Sequence, residues 1–184
     1  MGRLPYYFGI MFVAAGLALV GGDKAAVSDD GSATGEVKLV RLTWKQLQER
    51  LAADKTIKYT LVDAWSTTCG PCKENFPHVL AMHRRFAKKG LSVVSLSLDD
   101  PSNKAAVAEA EKFLKEKNSV VTNVLLDEES GAGFEKLDII AIPAVFIYGP
   151  DGKEVKRFTM DDPNNQFTYD EVEKAVVTLL DGKP

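Results

Sequence analysis

The feature that most constrains this chain is its pair of cysteines, Cys69 and Cys72, the only two in 184 residues. They lie in the stretch LVDAWSTTCGPCKENFP, residues 61–77, with Gly70 and Pro71 between them. A bridge between two residues three apart closes too small a loop to restrict the unfolded chain much. A purely structural disulfide is therefore a weak explanation, and the pair points to chemistry.

The segments around this pair predict an α/β fold with a mostly parallel sheet. Apolar or alternating runs predict strands, amphipathic runs predict helices, and a Gly-Pro-Asp-Gly turn predicts a hairpin. The predicted strands cover residues 36–42, 59–65, 91–99 and 119–127, with a hairpin at 144–158. A first helix is predicted after the cap residue Thr43, and a second from Cys69 to about Lys89, where Gly90 ends it. A third opens at Pro101 and a last one covers 168–182, with a loop or short helix at 129–139 between them. Strands that alternate with helices predict a parallel sheet, here with the antiparallel hairpin at one edge.

The N-terminal segment differs from the rest. Arg3 precedes an apolar run at 4–20 that would be about 25 Å long as a helix, short for a bilayer core of roughly 30 Å. We interpret residues 1–22 as a signal peptide or N-terminal membrane anchor, 23–36 as a flexible linker and 37–184 as the folded domain. The domain is then expected outside the cytoplasm, periplasmic or secreted, and either released or held at the membrane by residues 4–20.

Charge and histidine content limit the partners and cofactors. The net charge is −3 and no block of basic residues occurs, which argues against nucleic acid. A C-x-x-C pair can be half of a zinc site, but the only histidines, His78 and His83, lie on one predicted helix and are more readily explained as surface or half-buried residues. We expect no metal and no bound cofactor, with a copper-binding pair of thiolates as an alternative.

The spacing of the cysteines suits thiol-disulfide exchange. Cys69 falls at the predicted end of a strand and start of a helix, where free N–H groups and the helix dipole favour a thiolate. Cys72 lies one turn further, within bridging reach, and Pro71 sits in the first turn, where a missing N–H costs nothing. One cysteine can therefore attack a disulfide and the other can release the product.

Asp63 and Pro143 are two further candidates. Asp63 lies in a strand expected to be covered on both faces, where a carboxylate is costly unless it has a task or a partner. Burial should raise its pKa, which suits a proton acceptor for Cys72; the alternative is a solvated strand edge. Pro143 stands at the start of a predicted strand, and the residues alone favour an ordinary strand start over a cis proline.

At this point the motifs resemble the thioredoxin superfamily. The stretch DAWSTTCGPCK resembles the thioredoxin motif, and IIAIPAVFIYGPDGKEVKRF resembles the family's cis-proline strand and hairpin. The leader and the extra strand-helix segment at 91–126 look more like the extracytoplasmic TlpA/ResA-type thiol-disulfide oxidoreductases. The resemblance covers residues 37–182. It implies that Cys69 is the nucleophile, Cys72 the resolving cysteine and Asp63 the buried acid.

The resemblance also implies a client-binding surface around the disulfide. Its members are Trp65, Thr68, Gly70, Pro71, Ile142 and a cis Pro143. Two positions depart from the family. Thr68 replaces the usual tryptophan before the first cysteine, so the gripping surface should be smaller and more polar. Ser95 replaces a lysine of thioredoxins, which removes a charged partner for Asp63.

The function that follows is an extracytoplasmic protein-disulfide reductase without a cofactor. Cys-Gly-Pro-Cys is the thioredoxin sequence, whose potential lies near −270 mV, so a membrane electron donor is implied in an oxidising compartment. The expected partners are disulfide-containing client proteins of unassigned identity. The alternatives are a copper-delivery module, for which no histidine follows His83, and a peroxiredoxin, for which Val62 stands where a proline is required.

Overall fold

The computed structural model describes residues 36–129 and 131–182. The predicted leader and all of the predicted linker except Glu36 lie outside the described residues. Within these two ranges, the helices are too short or too polar to cross a membrane. The described residues form one compact unit.

The secondary structure follows the alternation expected from the sequence. Six strands are present in the described ranges: β1 Leu39–Leu42, β2 Tyr59–Trp65, β3 Leu91–Ser97, β4 Thr122–Leu126, β5 Ala144–Tyr148 and β6 Glu154–Phe158. They are joined by the helices α1 Trp44–Ala53, α2 Gly70–Phe86, α3 Lys104–Glu116, α4 Ala132–Leu137 and α5 Tyr169–Leu180. A 3₁₀ turn, Ala87–Lys89, continues α2 as far as Gly90.

All six strands form one sheet in the order β1-β4-β3-β2-β5-β6. The pairs β1–β4, β4–β3 and β3–β2 are parallel, whereas β5 runs antiparallel to β2 and to β6. The prediction of a mixed sheet flanked by helices, with an antiparallel hairpin at one edge, is confirmed. The segment 91–126 supplies β3, α3 and β4, and β3 lies directly beside the strand that leads to Cys69.

The two faces of the sheet bury separate apolar clusters. Helices α2, α3 and α5 cover one face, against β2 side chains such as Leu61 and Trp65. Helices α1 and α4 cover the other face, against Val62 and Ala64. Since successive strand residues point to opposite faces, Asp63 points to the face of α2, α3 and α5.

Local signals explain where several helices begin and end. Thr43 caps α1 in a capping box with Gln46, as the sequence predicts for its N-terminus. Gly90 stops the turn after α2 in the left-handed region, with φ of 101°. A side chain at this position would also collide with Lys58, because a Cβ atom would lie 2.9 Å from its Cγ.

The predicted start of α3 is wrong. The helix begins at Lys104 rather than Pro101, because the Asn103 side chain accepts hydrogen bonds from the N–H groups of Ala105 and Ala106. Pro101 lies in the preceding turn, where the Asp100 carboxylate accepts from Ser102. An asparagine offers the free N–H groups of a helix start an acceptor, which a proline cannot do.

Candidate active site

The cysteine pair lies where β2 gives way to α2. Cys69 is the N-cap residue of α2, and its Sγ accepts a hydrogen bond of 3.2 Å from the N–H of Cys72. The two sulfurs are joined by a disulfide with a Cα–Cα distance of 5.3 Å. Cys69 is half-buried, whereas Cys72 is only 1% exposed. A partner in solution can therefore reach the first sulfur but not the second.

The neighbours of the pair in sequence are open to solvent. Thr68, Gly70 and Pro71 are all exposed, and a Cβ atom built on Gly70 would contact nothing within 4 Å. Pro71 lies in the first turn of α2, as expected. The rim of the disulfide is thus formed by small residues.

Asp63 lies fully buried on the same face of the sheet as α2. Its Oδ1 accepts a hydrogen bond of 2.7 Å from the hydroxyl of Tyr169, and its Oδ2 has no hydrogen-bond partner among the described residues. Burial raises the pKa of Asp63 to about 7, against a smaller lowering effect of the Tyr169 hydrogen bond. Such a carboxyl can take up or release a proton near neutral pH.

Trp65 lies behind the site rather than on its surface. Its side chain is 1% exposed and packs against Phe76 and Phe113, with ring centroids 5.9 and 5.0 Å away. Its indole N–H donates to Ser95 Oγ at 2.7 Å, which gives the serine found in place of a lysine a structural task. The assignment of Trp65 to the client-binding surface is therefore wrong, because β2 turns its ring into the core.

A second buried aspartate, Asp99, supports the loop before Cys69. The carboxylate accepts from the N–H of Thr67 at 3.1 Å with each oxygen, from Thr67 Oγ1 at 2.6 Å and from Ser97 Oγ at 2.8 Å. Sequence reasoning missed this residue. The available signal was the acidic pair at the end of β3, because the carboxyl ends of neighbouring parallel strands meet at one edge of a sheet.

The loop before Pro143 forms another part of this edge. The Ile142–Pro143 peptide is cis, as the family resemblance implies and contrary to the reading of the residues alone. The Asp161 carboxylate accepts from the N–H groups of Ile140 and Ala141 at 2.9 and 3.2 Å. Asp161, which the sequence analysis also missed, thus ties this loop to the segment after β6.

A groove of about 570 Å³ runs beside Cys69. It brings together five of the predicted site residues, namely Thr68, Cys69, Gly70, Pro71 and Ile142. Leu98, Phe134 and Asp99 also line it, whereas Asp63, Cys72 and Trp65 do not. Pro143 is buried next to it. The groove therefore gives a peptide segment access to Cys69, whereas Asp63 lies buried between the sheet and α2.

Neither histidine lines the groove beside the disulfide. His78 is exposed, with its ring 6.2 Å from that of Tyr169, and His83 is half-buried. Burial, together with the charge of Arg84, lowers the pKa of His83. Residues 36–129 and 131–182 contain no group of three or more His, Cys, Asp or Glu side chains that could hold a metal ion.

Comparison with known families decides the assignment of the chain. The AhpC/TSA family matches residues 36–157, which include β1 to β6 almost completely and the whole disulfide site. The chain belongs to the AhpC/TSA family. Within this AhpC/TSA protein, the matched region ends inside β6, so α5 with Tyr169 lies beyond it.

Individual relatives of this AhpC/TSA chain are similar over part of its length. The thiol-disulfide oxidoreductase ResA of Bacillus subtilis (strain 168) is 29% identical over 102 residues, which are 55% of this chain and 53% of that protein. The matched segment thus spans about half the length of this curated relative.

Solved structures extend the similarity to about two thirds of the chain. A thiol:disulfide interchange protein described as DsbE from Chlorobium tepidum is 25% identical, with a TM-score of 0.56 over 70% of this chain and 84% of that one. A thiol:disulfide interchange protein from Bacteroides sp. is 27% identical, with a TM-score of 0.50 over 67% and 76%. The expected thioredoxin-like fold and the resemblance to ResA-type thiol-disulfide oxidoreductases are confirmed.

Proposed function

We propose that this AhpC/TSA protein is a thiol-disulfide oxidoreductase that reduces disulfides of client proteins through Cys69 and Cys72. The observation that carries the proposal is the asymmetry of the pair: one sulfur borders a groove, and the other is buried on the sheet face that holds the ionisable Asp63. The names of the relatives, each a thiol-disulfide oxidoreductase or interchange protein, support the same chemistry.

The reaction runs through a mixed disulfide. The Cys69 thiolate attacks one sulfur of the client disulfide, a new S–S bond forms, and the other client sulfur leaves as a thiolate. Cys72 then loses its proton to Asp63 and attacks Cys69 Sγ, which releases the second client sulfur. The client gains two electrons, and the protein is left with its Cys69–Cys72 disulfide, the state seen in the structure. No cofactor takes part in these steps.

Client binding uses the groove beside Cys69. Thr68, Gly70 and Pro71 form one side of the contact, and Ile142, which precedes Pro143, forms the other. A groove bordered in this way suits an extended peptide segment. A client held there presents its disulfide to the exposed sulfur.

The compartment and the electron source complete the proposal. Arg3 and the apolar run at 4–20 direct the domain outside the cytoplasm. A reductant in an oxidising compartment needs electrons, which we assign to a membrane donor. A reporter enzyme that works only outside the cytoplasm, fused after Pro184, should be active; activity of a cytoplasmic reporter instead would contradict export.

The exchange chemistry is tested by paired cysteine variants in an insulin-reduction assay. Cys72→Ser should still attack a client disulfide and should accumulate mixed disulfides on non-reducing gels, because no thiol resolves them. Cys69→Ser should form little adduct and reduce no insulin, since its remaining sulfur is buried. Equal trapping by the two variants would contradict the assigned roles.

Three further measurements separate the proposal from its alternatives. Equilibration with glutathione should give a potential near −270 mV, and a value above about −180 mV would favour an oxidase or isomerase. Titration of the reduced protein with copper tests the delivery module, which would bind the ion tightly. Hydrogen peroxide consumption tests the peroxidase, which Val62 disfavours.

A further inference from the structure

Tyr169 is joined directly to the buried acid of the site. Its hydroxyl donates to Asp63 Oδ1 at 2.7 Å across 106 residues of sequence. Tyr169 is 5% exposed and Asp63 is fully buried, so the bond is shielded from water. A hydrogen bond in such surroundings is stronger than one at the surface.

The position of the Tyr169 ring is set from several sides. It is the first residue of α5, whose start is held by a capping box between Thr168 and Glu171. The ring centroid lies 5.6 Å from that of Phe167 and 6.2 Å from that of His78 on α2. The backbone and the ring of Tyr169 are therefore both held in place, and this fixes the position from which its hydroxyl donates to Asp63.

The other groups on this face leave Tyr169 as the donor to Asp63. The Trp65 indole N–H is taken by Ser95 Oγ, the residue opposite Asp63 on β3. On α2 and α5 the buried titratable groups are Cys72 and Tyr169, with His78 against the Tyr169 ring and the half-buried His83 further along α2. Two partly exposed ion pairs join α2 to its neighbours: Lys73 with Glu109 on α3, at 4.0 Å, and Arg85 with Glu173 on α5. The buried side chains that α3 and β5 add to this face are apolar: Ala110, Phe113, Leu114, Val145 and Ile147.

We propose that Tyr169 is a positioning residue that occupies Oδ1 of Asp63 and leaves Oδ2 as the oxygen that takes the proton of Cys72. This inference rests on the proposed disulfide exchange. In the resolving step the proton moves from Cys72 Sγ to Asp63 Oδ2, the Cys72 sulfur bonds to Cys69 Sγ, and the bond from Cys69 to the client breaks. The client sulfur leaves as a thiolate, and Tyr169 keeps its own proton throughout.

Tyr169 affects the pKa of Asp63 as well as its position. A hydrogen bond to the charged form favours that form, so Tyr169 opposes the effect of burial on the pKa of Asp63. Burial and the neighbouring carboxylate raise the pKa of Tyr169, so the phenol is a lasting donor. Asp63 thus has a neutral hydroxyl as its partner, whereas Ser95, which stands at the position of the thioredoxin lysine, accepts from Trp65 instead.

The test is the pH dependence of the resolving step in Tyr169→Phe. Loss of the donor should raise the pKa of Asp63 by about one pH unit, which makes resolution about fivefold slower at pH 7 and nearly unchanged at pH 9. Rapid mixing of the reduced protein with a small disulfide gives the rates. Infrared or ¹³C NMR titration of the Asp63 carboxyl in the oxidised protein gives the same shift without any turnover.

Three further proteins make the test specific. Tyr148→Phe, which alters a tyrosine buried on the opposite face, should leave the profile unchanged. In a protein that already carries Asp63→Asn, adding Tyr169→Phe should not change the pH dependence of the resolving step any further. Replacing Tyr169 with 3,5-difluorotyrosine, a stronger donor of the same shape, should move the profile to lower pH and keeps the test independent of how well the phenylalanine variant folds.

The outcomes separate this inference from the proposed function. A carboxyl titration and a rate profile that stay at their native positions in both Tyr169 variants would overturn the role of Tyr169. If the unaltered protein reduces no disulfide at all, the proposed function fails. The carboxyl titration then still decides whether Tyr169 controls Asp63.

Discussion

Two buried carboxylates, Asp63 inside β2 and Asp99 two residues beyond the end of the neighbouring β3, differ in the number of their hydrogen bonds. Asp99 accepts four, from Thr67 and Ser97, and both of its oxygens are used. Asp63 accepts one, from Tyr169, and its Oδ2 has no partner in the described part of the chain. Burial alone therefore does not decide the role of a carboxylate; the number of hydrogen-bond donors around it does.

The difference divides the work of the site. Asp99 holds the loop before Cys69, since its hydrogen-bond donors replace the water that burial removes. Asp63 lacks that replacement, so its charged form is costly and its pKa lies near 7. Asp99 thus positions the loop that carries Cys69, and Asp63 can exchange a proton with the buried Cys72.

The largest expected effect comes from removing the charge of Asp63. Its pKa in the folded chain lies above its unfolded value of 3.8, so stability falls as the pH rises from about 4 to about 7. Since one pH unit is worth about 1.4 kcal/mol, Asp63→Asn should stabilise the oxidised protein by about 4 kcal/mol at pH 8 and by almost nothing at pH 4. Denaturant unfolding at the two pH values measures this.

The same variant should slow the release of the mixed disulfide near neutral pH more than the first attack. The reason is that the acid serves Cys72 and not Cys69. Equal gains in stability at pH 4 and pH 8 in Asp63→Asn, or unaltered turnover between pH 6 and pH 9, would return Asp63 to a structural role.

A smaller effect of opposite sign is expected at Asp99. Asp99→Ala leaves the N–H and hydroxyl of Thr67 and the hydroxyl of Ser97 without their acceptor, so the folded state should lose about 3 kcal/mol. Turnover should fall because the loop before Cys69 loosens. The acid limb of the pH–rate profile, which is the rise in rate as Asp63 loses its proton, should keep its midpoint. Unfolding curves and a pH–rate profile together give both quantities.

Asp100 supplies the matched control for this prediction. Its exposed carboxylate accepts only from Ser102, so Asp100→Ala should change stability less than Asp99→Ala. If Asp99→Ala moves the acid limb as far as Tyr169→Phe does, the division of work between the two buried carboxylates is wrong.

The smallest effect is expected at Asp161, a partly exposed carboxylate that also holds a loop. Asp161→Ala frees the N–H groups of Ile140 and Ala141, which should cost about 1 kcal/mol in stability. Because this loop leads to Ile142 in the groove, KM for a peptide disulfide should rise several-fold while kcat stays constant. Asp162→Ala, whose carboxylate accepts only from Asn164, should leave KM unchanged.

Much of the fold could be predicted because it rests on local patterns. The apolar run of β2 and the stop at Gly90 match the structure, and the end of α2 is off only by the final 3₁₀ turn. The burial of Asp63 followed from its apolar neighbours, which fill both faces of the sheet. The start of α3 was misjudged because the cap at Asn103 was overlooked in favour of Pro101.

The amino-acid sequence by itself determined the elements, the order in which strands and helices alternate, and the chemistry of the Cys69–Cys72 pair, since periodicity and capping act within a few residues. Tertiary structure alone decided which distant residues support Asp63 and the loop before Cys69. Tyr169 reaches Asp63 across 106 residues and Asp99 reaches Thr67 across 32. Such pairs form only when the sheet register brings distant segments to one edge, and a hydrogen bond depends on distances of a few tenths of an ångström that no local pattern specifies.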